Sequence, residues 1–175
     1  MAAARRARGT AAAAAAAAAA ALASFAAWGA AGCAARADLE PGRSLMGTLD
    51  GNDFDQQALW LEHGIAVADI EASLAATKGA PRLLQDSARR YDVLTLRLRG
   101  DSRTIVRVAS ADFNPVVAVT DLGGKVLGAD DDASAAATDA LVVVDNPLGA
   151  ATVLVVVTEF GAPRGGAYLV EANLD

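Results

Sequence analysis

Val153-Leu154-Val155-Val156-Val157 is an unbroken aliphatic run, and four of its five residues are β-branched. Such side chains are stiff and sit well on an extended, pleated backbone. A strand that is apolar on both faces belongs inside a fold, where a charge placed at Val155 would be buried without a partner. The same extended grammar reaches back to Tyr91. Leu94, Leu96 and Leu98 alternate with Thr95, Arg97 and Arg99, and Val106 and Val108 alternate with Ile105 and Arg107. This period of two marks half-buried strands. Further strands follow at Val116 to Asp121, Val126-Leu127, Leu141 to Val144 and Ala167 to Leu174. Turn signals separate them: Gly100-Asp101, Gly123-Gly124, Asn146-Pro147 and the Gly161 to Gly166 loop, which reads as a hairpin. No helical segment of 10–15 residues intervenes, so a parallel βαβ sheet is disfavoured. The pattern predicts an all-β domain, an antiparallel β-sandwich or barrel.

Upstream of Tyr91 the pattern is mixed. Leu45 to Leu49 predicts a first strand, ending in the turn-rich Asp50-Gly51-Asn52-Asp53. Over 54–78, Leu59, Glu62, His63, Ala66, Ile70 and Leu74 share one helical face, which predicts a helix ending near Lys78-Gly79 with Pro81 beyond. Gly64 interrupts that pattern, and Ile65-Ala66-Val67 can also extend. His63, the only histidine, reads as a surface or boundary residue rather than a ligand or base, because no partner motif accompanies it.

The first ten residues carry Arg5, Arg6 and Arg8, and residues 11 to 31 are almost entirely alanine. Charged then apolar is the order of a secretory signal peptide. The run ends at Ala31-Gly32-Cys33, and Cys33 is the only cysteine. This resembles a lipobox, which implies diacylation of Cys33, cleavage before it and a chain anchored in the cell envelope by lipid. A rival cut at Ala35-Arg36-Ala37 would release a soluble periplasmic or secreted chain from Asp38. An organelle transit peptide fits less well, since Ser24 is the segment's only serine. Residues 34 to 44, with Pro41 and Gly42, read as a tether, and 45–175 as the domain. A lone cysteine allows no intrachain disulfide. Loss of the three leading arginines takes the net charge from −6 to −9, so the domain repels phosphate backbones and nucleic acid is not expected as a partner.

Ser110-Ala111-Asp112-Phe113-Asn114-Pro115 leads into an apolar strand, followed by Asp121-Leu122-Gly123-Gly124. Val126-Leu127 and the acidic Asp130-Asp131-Asp132 come next, and Gly165-Gly166-Ala167-Tyr168-Leu169-Val170 closes the chain. The order resembles the bacterial pre-peptidase C-terminal domain, a jelly-roll-like β-sandwich appended to secreted proteases. In that family an S-x-D-F run precedes a strand, a D-x-x-G turn and a paired-Asp loop follow, and a G-x-Y strand ends the fold. The resemblance spans Tyr91 to Asp175, about half of the chain. Residues 54 to 85 would then be an insertion, and Asn114 stands where aspartate is commoner. It implies structural roles for Asp112, Phe113, Gly123 and Tyr168. Physically, Phe113 can plug the end of the sandwich, and Asp112 can cap a turn through backbone N–H groups. Gly123 and Gly124 can supply the positive φ of a tight hairpin. Tyr168 offers an apolar body with a hydroxyl that needs a partner.

Asp130, Asp131 and Asp132 are the candidate metal ligands, and calcium is the cation such hard oxygens suit. The spacing is not that of an EF-hand, and a solvated acidic turn is the competing reading. No H-E-x-x-H, paired-cysteine site, G-x-S-x-G elbow or phosphate loop occurs. The expectation is therefore a non-catalytic binding or accessory module with a protein or polymer partner. The alternative is a small secreted hydrolase using a carboxylate site that carries no motif.

Overall fold

The computed structural model describes residues 38–78, 88–132, 139–146 and 149–175. Cys33 and the rest of the N-terminal address lie outside the described residues. Nine strands and two helices follow in the order β1 (Asp38–Leu39), β2 (Arg43–Leu49), α1 (Gln56–His63), α2 (Val67–Lys78), β3 (Asp92–Leu98), β4 (Ser102–Ala109), β5 (Asn114–Asp121), β6 (Val126–Asp130), β7 (Ala140–Asn146), β8 (Ala151–Phe160) and β9 (Gly166–Leu174). They form two facing sheets, ordered β1-β3-β8-β5-β6 and β2-β9-β4-β7. Every pairing is antiparallel except β1 with β3. The chain changes sheet at each connection but β5–β6, which gives the jelly-roll-like sandwich expected from the sequence. Among the described residues of 91–175 there is no helix.

Between the sheets, Leu94, Leu96 and Leu98 of β3 meet Val106 and Val108 of β4, Val142 and Val144 of β7, and Val170 of β9. The alternation of these strands is the sheet period expressed as packing. Strand β8 is buried along almost its whole length. Val153, Val155 and Val157 point into the sandwich, whereas Leu154 and Val156 belong to a second core on the opposite face of the same sheet. That second core is closed by Leu59 of α1, by Ile65, and by Val67, Ile70 and Leu74 of α2. The helical segment thus covers the five-stranded sheet, leaving the outer face of the four-stranded sheet uncovered among the described residues.

Gly64 divides the expected single helix in two. It ends α1 in the left-handed conformation (φ 68°), donating its N–H to Trp60 O at 2.8 Å. Asp55 starts α1 by accepting from Ala58 N at 2.8 Å. Leu59, His63, Ile70 and Leu74 take the buried side as the helical period predicts, Ala66 is half-buried, and Glu62, expected on the same face, is exposed instead.

Three expectations are corrected. Part of the expected tether is built into the domain: Asp38–Leu39 pairs parallel with Thr95–Leu96, and Leu39 is 1% exposed in the inter-sheet core. The free backbone edge of β3 recruits those residues, and the one leucine among polar neighbours fills the gap beneath. The Gly161 to Gly166 loop is no hairpin, because β8 and β9 lie in different sheets. Asn146 is more than a turn former: its Nδ2 donates to Arg99 O and Gly149 O, both at 2.7 Å, tying the β3–β4 corner to the β7–β8 corner.

Candidate functional site

The S-x-D-F run folds as a clamp on the start of β9. Ser110 Oγ accepts from Asp112 N and Phe113 N at 3.1 and 3.3 Å, closing a local turn. The same hydroxyl donates to Ala167 O at 2.8 Å. Asp112 Oδ2 accepts from Ala167 N at 2.9 Å. Both backbone groups of Ala167 are therefore satisfied by two side chains of the motif. Asp112 caps a distant strand rather than its own turn, and Ser110 performs the local capping; this corrects the expected role of Asp112. Phe113 is buried in the inter-sheet core near this corner, as expected for a plug.

The D-x-x-G turn works differently from expectation at Gly123. Asp121 Oδ1 accepts from Gly123 N and Lys125 N, each at 2.9 Å. Only Gly124 adopts positive φ (85°). A β-carbon at Gly124 would collide with the carbonyl of Gly64, so this turn is also the seat on which the end of α1 rests. Gly123 contributes its N–H rather than an unusual backbone angle.

Tyr168 is buried, and its hydroxyl donates to Asp92 Oδ2. Burial, reinforced by Asp92, holds the phenol far above its ordinary pKa, so it stays a donor. Asp53 stands in the same neighbourhood. Its Oδ2 accepts from Asp50 N at 2.6 Å, yet burial pushes its carboxyl up to about 6, helped by the Asp92 and Asp50 carboxylates. The Asp50 N–H and the charge of Arg90 oppose the shift. A groove of about 570 Å3 opens at this end of the sandwich, lined by Asp50, Arg90, Glu159 and Arg164 among others, but not by Asp53, Asp92 or Tyr168. Glu159 is no free acid. Its carboxylate accepts from Arg164 N at 2.7 Å and Gly165 N at 3.2 Å, holding the glycine-rich loop. Buried Arg89 donates to Glu159 O and, at 2.7 Å, to Gly161 O.

Sequence reading placed Asp50 and Asp53 only in a turn, and missed Asp92, Arg89 and Glu159. Their partners lie in remote strands, so no local pattern announces them. Tyr168 alone carried a signal, a hydroxyl on a strand needing a partner.

The acidic residues 130–132 are not a solvated turn. Asp130 belongs to β6, and its Oδ2 accepts from Leu141 N at 2.8 Å. Asp131 is fully buried and Asp132 half-buried. No group of three or more His, Cys, Asp or Glu side chains suited to a metal ion occurs among the described residues. His63 is buried, with its ring edge-on to Phe54 at a centroid distance of 4.9 Å, so the boundary position expected for it is an interior one. No helix among the described residues is long and apolar enough to cross a membrane.

No family model matches the chain. No curated protein matches it either. Among solved structures, the chain is similar to the pre-peptidase C-terminal domain of a collagenase from Bacillus anthracis, with 7% identity and a TM-score of 0.46, over 79% of this chain and 94% of that one.

Proposed function

We propose that the chain is a non-catalytic accessory module, carried to the cell envelope and held there by lipid on Cys33. The observation that carries the first half is how the motif side chains and Glu159 are used. Ser110, Asp112, Asp121 and Glu159 all spend their oxygens on backbone groups at corners and turns. Side chains used in this way hold a scaffold and are not free to transfer protons. The anchor rests on the arginine-then-alanine order before Ala31-Gly32-Cys33. The partner is then a protein or polymer of the envelope, and nucleic acid is disfavoured by the negative charge.

Asp53 favours a second reading, a small hydrolase. A carboxyl raised to about 6 beside other carboxylates is the arrangement by which paired acids divide acid and base roles. Assay of the chain on chromogenic esters, glycosides and phosphate esters separates the two. A rate that Asp53→Asn abolishes overturns the accessory reading, and no rate on any of them sustains it.

Calcium is the ligand proposed for Asp130, Asp131 and Asp132. Three successive carboxylates in the sequence support it; against it, these carboxylates do not converge into a group suited to a metal ion, and the Leu141 N–H already occupies one oxygen of Asp130. Thermal unfolding with chelator, calcium and a magnesium control tests it: a midpoint raised by calcium alone supports the site, and an unmoved midpoint removes it.

A further inference from the structure

Trp60 is the largest apolar side chain left open among the described residues, at 56% exposure. Helix α1 does not need an indole there, because Leu59 and His63 fill its buried face. Leaving so large an apolar surface in water forgoes burial energy, which marks such residues as contact points. Two surface grooves meet at this ring. One, of about 490 Å3, is lined by Gln56 and Gln57 together with the 65–68 segment. The other, of about 510 Å3, is lined by Asp69, Ser73 and Lys125 together with the Gly123-Gly124 turn. Trp60 is the residue they share.

We propose that Trp60 is the platform of a carbohydrate-binding site, and that its occupant is a neutral polysaccharide chain lying across the indole from one groove to the other. A pyranose ring presents an apolar face of C–H groups and a rim of hydroxyls. The indole covers the face, and the amides of Gln56 and Gln57, the carboxylate of Asp69 and the hydroxyl of Ser73 offer donors and acceptors for the rim. Grooves on both sides of one ring suit a chain of sugars better than a single residue. The negative charge of the chain disfavours anionic polymers, leaving a neutral glycan. Trp60 lies within 54–85, the segment that the sequence reading takes as an insertion relative to the family the chain resembles. The inference rests on the accessory-module reading and gives that module its ligand.

The sequence holds two tryptophans, Trp28 and Trp60, so the full chain carrying Trp28→Phe reports on Trp60 alone. Its fluorescence is titrated with cellohexaose and with chitohexaose, and depletion by insoluble cellulose and chitin is measured in parallel. Saturable change with at least one oligosaccharide is expected, with depletion by the matching polymer. Trp60→Ala should weaken that depletion about tenfold or more, Trp60→Phe less, and Gln57→Ala measurably. Unchanged circular dichroism shows that the variants fold. No binding to either sugar series, or equal binding by Trp60→Ala, overturns the site and leaves the accessory reading standing. Self-association abolished by Trp60→Ala, without sugar binding, overturns it in favour of a second copy as occupant. Release of new reducing ends from a bound glycan instead overturns the accessory reading and leaves the binding site intact.

Discussion

The ring of Tyr168 lies directly over Gly47, its cross-strand partner on β2, and occupies the space that a side chain at position 47 would need. A glycine opposite an aromatic residue is a sheet device that lets the ring lie flat across the neighbouring strand. Here it carries the hydroxyl to Asp92 on the facing sheet, joining the two layers by a hydrogen bond as well as by apolar contact. Gly47→Ala should therefore lower stability by about 1–3 kcal/mol through overpacking. Tyr168→Phe should cost about 1–2 kcal/mol through loss of a bond to a carboxylate. Urea unfolding of the two variants measures both, and a neutral Gly47→Ala would show that the ring can move aside.

Asp53 makes stability depend on pH. Its folded pKa, about 6, is above the ordinary value of an aspartate carboxyl, so the folded chain binds the proton more tightly than the unfolded one. Its contribution is most favourable below pH 4 and declines as pH rises through 6. For a half-exposed carboxyl the effect at pH 7 is about 1 kcal/mol. Asp53→Asn retains an acceptor for Asp50 N and removes the charge, so it should raise the denaturation midpoint at pH 7 and leave it nearly unchanged at pH 4. A variant equally stabilised at both values would remove Asp53 as the titrating group.

The Ser110–Asp112 clamp should behave as one unit. Each of Ser110→Ala and Asp112→Ala should cost about 1–2 kcal/mol, because each leaves one backbone group of Ala167 without its partner. The double variant should cost less than the sum, since both side chains hold the same residue. Simple additivity in a double-mutant cycle would mean that they act independently.

Val155 is fully buried in the inter-sheet core, between β3 and β5. Val155→Asp should abolish the cooperative thermal transition, since an unpaired charge there costs more than a domain of this size can lose, about 4 kcal/mol or more. Leu154→Ala, on the other face of the same strand, should cost about 2–4 kcal/mol by opening a cavity under the helices.

For the address, Cys33→Ser should move the chain from the membrane to the soluble fraction and abolish labelling by radioactive palmitate. Mass spectrometry of the mature N-terminus gives the cut directly. A soluble wild-type chain beginning at Asp38 would replace the lipid anchor with ordinary export.

Strand order along the chain and the sandwich class were legible in the sequence because alternation is a local signal: Leu94, Leu96 and Leu98 show their buried face without reference to any other strand. The run at Val153 to Val157 announced burial on both faces for the same reason. What covers its second face was decided by tertiary structure, which lays α1 and α2 over Leu154 and Val156. A broken helix with a weak apolar stripe does not name its docking surface. Only the fold revealed that Asp112 reaches Ala167, that Asp53 approaches Asp92, and that Leu39 completes the core beside β3. Those contacts join residues far apart in the chain, and a sequence records which side chains could bond without recording which of them chain folding brings within reach.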